Sequence, residues 1–183
     1  MPANVTDILE TTAVGLLGLV ASLVLNAFFS RRISLKYEVR ARRAIARKHY
    51  NTALYFFFHA VVALALVQIG AIVVWAVLLR VLGVVQGMHE ALLFAGSCYT
   101  TVGILSDIAT EQWRLLPILI AVSGIFSFAL STANVLSMAP LYRRAWFAKH
   151  AKHVRGLLVA EHVDPHEVGL AFLVEEEEAD RRP

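Results

Sequence analysis

Hydrophobic positions in this chain do not alternate with polar ones; they run together. Thr11–Ser30 contains no Asp, Glu, Lys, Arg or His, Asn51–Leu79 contains His59 as its only such group, and Leu115–Tyr142 again contains none. About 20 apolar residues at 1.5 Å rise carry a helix across a hydrocarbon layer of ~30 Å. The first run meets that length and the other two exceed it. Each therefore predicts a membrane-crossing helix, and the two longer ones have length to tilt or to project past the layer. Ala91–Val102 is apolar and small, but it offers only about three turns of helix. It is too short to cross and suits a re-entrant segment enclosed by protein. The residues before the first run carry Asp7 and Glu10 and no base, and the run ends on Asn26-Ala27-Phe28-Phe29-Ser30. Both features are wrong for a cleaved signal sequence, so a retained helix is expected.

Polar positions collect between the runs, and their sign differs from loop to loop. Arg31–His49 holds eight bases (Arg31, Arg32, Lys36, Arg40, Arg42, Arg43, Arg47, Lys48) and one acid, Glu38, while Arg143–Arg155 holds five bases and no acid. The stretch Arg80–Arg114 holds two bases and three acids. Thirteen of the 17 bases thus lie in two segments, and the positive-inside rule puts both in the cytoplasm. That predicts an external N-terminus, an internal C-terminus and an odd number of spans. Hydrophobicity alone gives three, so the two readings agree. The segment Tyr37–Tyr50 reads as an amphipathic or solvated helix on the inner leaflet, able to attract anionic lipid at ~1 kcal/mol per base near the surface. A specific phosphoinositide-type site is the alternative. Topology accounts for the bases, so no nucleic-acid partner is expected.

Composition points the same way. The chain is 58% hydrophobic and 17% charged, against roughly 45–50% and 25% for soluble domains. A disordered chain is excluded, and an ordinary water-soluble enzyme is not expected. Cys98 is the single cysteine, so no intrachain disulfide or CxxC metal site exists. The chain contains no Walker lysine motif, no GxGxxG and no HExxH, and no Ser/His/Asp set has a recognisable spacing. Within the spans His59, Gln68 and Asn134 are the candidate polar groups of the kind a membrane enzyme would need to converge. No enzyme activity, metal or cofactor is expected. His150 and His153 lie three apart, but no cysteine or clustered carboxylate completes a metal site.

The residues most informative about function lie between the second and third runs: Ser97-Cys98-Tyr99-Thr100-Thr101-Val102-Gly103-Ile104-Leu105-Ser106-Asp107. A short apolar helix followed by Thr-Thr-Val-Gly and an acid resembles the pore helix and selectivity filter of potassium channels, whose filter reads Thr-Val-Gly-Tyr-Gly. The third run adds a separate match. Arg114 is followed ten residues later by Gly124-Ile125-Phe126-Ser127-Phe128, which resembles the inner helix of bacterial two-span potassium channels. The likeness covers roughly residues 53–140. It implies an all-α membrane protein whose subunit has three transmembrane helices, a re-entrant pore helix and a filter loop, assembled as a homotetramer around monovalent cations, K+ or Na+. It assigns the filter to Thr100, Thr101, Val102, Gly103, Ile104 and Leu105, and a gating hinge to Gly124. Pore-lining positions follow at four-residue spacing as Phe128, Thr132 and Leu136, with Ser131 and Asn134 as polar alternatives.

The chain departs from that family where the family reads Tyr-Gly-Asp. Here the residues are Ile104-Leu105-Ser106-Asp107. The aromatic and the second glycine are missing and one residue is added. Glycine accepts backbone angles with positive φ that a residue with a Cβ resists, and forcing Leu105 there costs of order 1–2 kcal/mol. A filter of altered shape, conducting with weakened selectivity or not at all, is the expectation.

Other polar groups carry two readings each. Ser97 can support the filter together with Asp107, or bond a carbonyl of its own helix. Asp107 and Glu111 can concentrate cations at an outer mouth or form a plain solvated loop. Asn134 is expected to bond a neighbouring helix. His59 is either functional or a neutral histidine satisfied by a neighbour. The acidic run Glu175–Glu178 is a solvated tail or a clasp on the basic loop.

The organisation expected from all this is an N-terminal peripheral helix over 1–30, a basic cytoplasmic linker over 31–50, a pore module over 51–142 and a cytoplasmic tail over 143–183. Within the pore module the outer helix spans 51–82, the pore helix and filter 90–107, and the inner helix 114–142. The location is the inner or plasma membrane, and the partners are further copies of the chain, monovalent cations and lipids. A non-conducting membrane protein on a channel scaffold, acting as an accessory or lipid-responsive module, is the alternative.

Overall fold

The computed structural model describes residues 5–103, 113–165, 168–170 and 172. Five helices follow one another among them: α1 (Val5–Ala46), α2 (Tyr50–Val81), α3 (Met88–Tyr99), α4 (Leu116–Lys149) and α5 (Ala151–Ala160). No strand occurs among the described residues. Thr11–Ala46 of α1, all of α2 and all of α4 are long and apolar enough to cross a membrane. An all-helical, membrane-type chain with three candidate spans is therefore what the structure contains.

Helix limits depart from the sequence reading in two informative places. α1 does not stop where the apolar run meets the basic segment; it continues to Ala46. Nothing from Leu19 to Ala46 is Gly or Pro, so no residue interrupts the hydrogen-bond ladder. The helix expected from Tyr37 is thus not a separate element but the continuation of α1 through the basic segment, and the connection to α2 is only Arg47–His49. α4 likewise continues past its apolar run, through Pro140 and the basic pair Arg143-Arg144, to Lys149.

Four helices end in the same way. After α1, the Lys48 N–H donates to the Ile45 carbonyl and the His49 N–H to that of Ala44, at 2.9 Å each. The same pair of bonds closes α2 at Gly83 and Val84, α3 at Thr101 and Val102, and α5 at His162 and Val163. This is the Schellman closure, whose pivotal residue sits in the left-handed region. Lys48, Gly83, Thr101 and His162 all have φ between 55° and 70°. Only one of the four is the glycine that this seat favours.

Two compact units result. The first comprises the residues up to Leu35 together with Ala60–Leu136. Its core is Trp75, Ala76 and Leu79 of α2, Ala91, Phe94, Ala95, Cys98 and Tyr99 of α3, and Leu116 and Ile120 of α4. Trp75, Phe94 and Tyr99 are fully enclosed, and Trp75 Nε1 donates to Ser123 Oγ at 2.9 Å. α1 joins this core at two glycines: a Cβ on Gly15 would press on Leu116 and Leu119, and one on Gly18 on Trp75 and Leu78. Lipid tails are as apolar as leucine, so close packing and hydrogen bonds hold such helices together.

The second unit comprises Lys36–His59 and the residues from Ser137 on. Ala41, Ala44, Ala53 and Ala145 are buried in it, a set of small residues that allows close helix approach. Tyr37, Phe57, Phe58 and Tyr142 form an aromatic cluster, with Phe57 and Tyr142 centroids 4.5 Å apart.

Candidate functional site

α3 begins after Gly87 and buries Ala91, Phe94, Ala95, Cys98 and Tyr99. Their spacing of three and four residues makes one continuous face. That face is what docks the short helix into the first unit. Its C-terminal residue, Tyr99, is held on two sides. The Tyr99 hydroxyl donates to Gln68 Oε1 at 2.7 Å. On the other side, a Cβ on Gly124 would collide with the Tyr99 carbonyl oxygen, so glycine is required for the end of α3 to rest on α4. The Tyr99 ring also lies 5.7 Å from that of Phe128.

Gln68 is the centre of the polar contacts. Besides accepting from Tyr99, its Oε1 accepts from Asn26 Nδ2 at 3.2 Å, while Nε2 donates to the Ser127 carbonyl at 3.3 Å and to Ser131 Oγ. Asn26 Oδ1 in turn accepts from Ser30 Oγ at 3.3 Å. Both donors and both lone pairs of the Gln68 amide are engaged, and the partners sit on α1, α3 and α4. A satisfied buried network of this kind restricts which helix arrangements are allowed. In the sequence Gln68 is only a polar residue within a span. A polar side chain at that depth signals an interhelical partner, but the identity of the partner has no sequence signal.

The turn after Tyr99 is folded back on α3. Thr100 caps the helix, and its Oγ1 donates to the Gly96 carbonyl at 2.7 Å. The N–H groups of Val102 and of Gly103 both donate to the carbonyl of Ser97, at 2.9 and 3.0 Å. Two consecutive N–H groups that converge on one oxygen point the same way. In a trans peptide the C=O is antiparallel to the N–H of the next residue, and no peptide here is cis. The carbonyls of Thr101 and Val102 are therefore both directed away from α3. Thr101 and Gly103 both have positive φ, 62° and 68°. Thr100, Thr101, Val102 and Gly103 are all exposed.

Ser97 Oγ donates to the Phe94 carbonyl at 3.0 Å, the own-helix alternative of its two readings. Ile104, Leu105 and Asp107 lie outside the described residues. α4 is unbroken through Gly124. Phe128, Thr132 and Leu136 lie with Ile125 on one largely exposed stripe, opposite the buried Ile120, Ser123 and Ser127. Asn134 Oδ1 accepts from Ser34 Oγ of α1 at 2.9 Å, the interhelical role expected of it. His59 is exposed, its ring stacked on Tyr55 at 6.2 Å. Among the described residues no three His, Cys, Asp or Glu side chains gather at a metal-binding distance.

Comparison with protein-family models, with curated proteins and with solved structures finds no match to this chain.

Proposed function

We propose that this chain is the subunit of a pore-loop cation channel, four copies surrounding a pore through which monovalent cations pass passively. The observation that carries the reading is the turn after α3, where two successive carbonyls, those of Thr101 and Val102, face the same way from an exposed position at the end of a helix too short to cross a membrane. A cation stripped of water needs such a row of carbonyl oxygens. The stripe Ile125, Phe128, Thr132 and Leu136 on α4 supplies a face for further copies or for the pore, and Gly124 is the candidate bend. With Ile104-Leu105-Ser106 in place of Tyr-Gly, selectivity between K+ and Na+ is weak. The two basic segments face the cytoplasm, by the positive-inside rule, in an inner or plasma membrane.

A second reading, a non-conducting module on the same scaffold, draws on the same turn: the Val102 and Gly103 N–H groups close a helix end, a geometry that needs no ion. Reconstituted chain in liposomes distinguishes the two. The channel reading expects K+ and Na+ to equilibrate while a large organic cation stays behind. Absence of flux for every cation, in protein that native mass measurement shows to be tetrameric, overturns it and favours the module.

A further inference from the structure

Within the first unit, α1 and α2 leave a groove of about 380 Å3, walled chiefly by Leu25, Phe29, Leu66 and Val74. Its size falls within the roughly 300–1,000 Å3 of small-molecule sites. It is open along one side, where Leu66 is 60% and Phe29 49% exposed.

Two features of the groove are not explained by packing. The first is Ser22, which lines it, is 3% exposed and has no hydrogen-bond partner for its Oγ. A serine inside a helix ordinarily donates to the carbonyl one turn earlier, and a hydroxyl enclosed by hydrocarbon without a partner is unfavourable. The neighbouring Asn26 is engaged with Gln68 and Ser30, so Ser22 Oγ is the unengaged polar group of the groove wall; the atom itself is covered, and an occupant reaches it once the side chain turns about χ1. The second feature is Gly70. It lies in the middle of α2, where glycine is a poor helix former. A Cβ there would meet nothing within 4 Å, whereas one on Gly15, Gly18 or Gly124 runs into a neighbour. The glycine at position 70 thus serves no close helix contact; it leaves the groove wall open.

We propose that this groove binds a neutral, single-chain lipophile dissolved in the bilayer, with Ser22 donating to one oxygen on it and its alkyl chain lying past Gly70. No charged side chain lines the groove, so an ionised head group would lack a partner there. The hydrocarbon part of an ordinary acyl chain carries no oxygen and would leave Ser22 as it is. An alcohol, ketone or ether on a chain satisfies both features.

The test uses the full chain in phosphatidylcholine vesicles, photolabelled with a diazirine-bearing 1-octanol and mapped by peptide mass spectrometry. Labels are expected on the α1 and α2 peptides that contain Ser22 and Gly70, displaced by 1-octanol more effectively than by octane. Gly70→Leu, which places a side chain in the open space, lowers labelling at least tenfold. Ser22→Ala lowers it about fivefold, or ~1 kcal/mol at 1.36 kcal/mol per tenfold. Val62→Leu, at an exposed α2 position outside the groove, leaves it unchanged. Circular dichroism checks that each variant keeps its helix content. Labelling indifferent to Gly70→Leu overturns the site. Octane competing as well as octanol, with Ser22→Ala silent, overturns the role of the hydroxyl and leaves a groove for hydrocarbon alone. Neither readout depends on ion conduction.

Discussion

The carbonyl oxygen of Tyr99 rests against Gly124, with no space between them for a side chain. A glycine in a helix interior is disfavoured by about 1 kcal/mol relative to alanine, and this contact is what makes it necessary here. The same contact ties the last residue of α3, just before the turn, to the one position on α4 with the most permissive backbone. Bending of α4 at Gly124 would therefore move the support of Tyr99 directly.

Gly124→Ala separates these forces by sign. Helix propensity alone would stabilise the protein by up to ~1 kcal/mol. Overpacking against the Tyr99 backbone is expected to win, destabilising by roughly 1–3 kcal/mol. Thermal unfolding in detergent, followed by circular dichroism, reads the sign. A raised midpoint would refute the contact.

Gln68→Leu keeps the volume and removes the amide, leaving the Tyr99 hydroxyl and the Asn26 amide without their partner. Each buried group left unsatisfied costs about 1–3 kcal/mol, so a loss of several kcal/mol is expected. Tyr99→Phe should cost about 1 kcal/mol in the native background and nearly nothing beside Gln68→Leu. A double-mutant cycle measures that coupling, expected in the range of ~0.5–3 kcal/mol for direct partners; strict additivity would count against the network.

Thr101 occupies a left-handed position, φ 62°, that a β-branched residue resists. Thr101→Gly is expected to raise stability by about 1 kcal/mol through relief of that strain, while Thr101→Val brings no relief. Unfolding midpoints of the two variants compare them. If the selective step of the proposed channel uses this turn, Thr101→Gly also changes ion flux, and the two effects are measured on one preparation.

The proposed orientation rests on the thirteen bases in two segments. Single cysteines at Asn4, Lys36 and Asp180 in a Cys98→Ala background are expected to react with a membrane-impermeant maleimide in intact cells only at position 4. Cys98 is the single native cysteine, so one substitution clears the background. Labelling of position 36 from outside would contradict the assignment.

Selectivity is the sharpest test of the channel reading. A bi-ionic reversal potential with K+ and Na+ in a planar bilayer is expected to lie near zero. Replacing Ile104-Leu105-Ser106 by Tyr-Gly shifts it toward K+. A native preference for K+ of about a hundredfold, ~2.7 kcal/mol, would show that the native segment builds an equivalent filter.

The three candidate spans, the short helix between the last two and the basic segments are legible in the sequence, because a bilayer acts on length and composition summed over roughly 20 residues. Asn134 is legible as an interhelical donor or acceptor for the same reason: a polar group in hydrocarbon needs a partner. That the partner is Ser34, far away along the chain, is decided only by how the helices meet. A helix from Tyr37 is legible, but its unbroken join to the first span is obscured because the apolar-to-basic change at Arg31 looks like an element boundary, although the backbone bonds that define a helix are indifferent to side-chain charge. The helix ends at Lys48, Thr101 and His162 are obscured because those residues hold a seat where glycine is the usual signal. Tertiary structure alone decided that Gly124 faces a carbonyl, that Gly70 faces open space, and that Gln68 gathers α1, α3 and α4. A glycine is written the same way in sequence whether its missing Cβ makes room for a backbone or for a cavity; only the neighbouring helix distinguishes them.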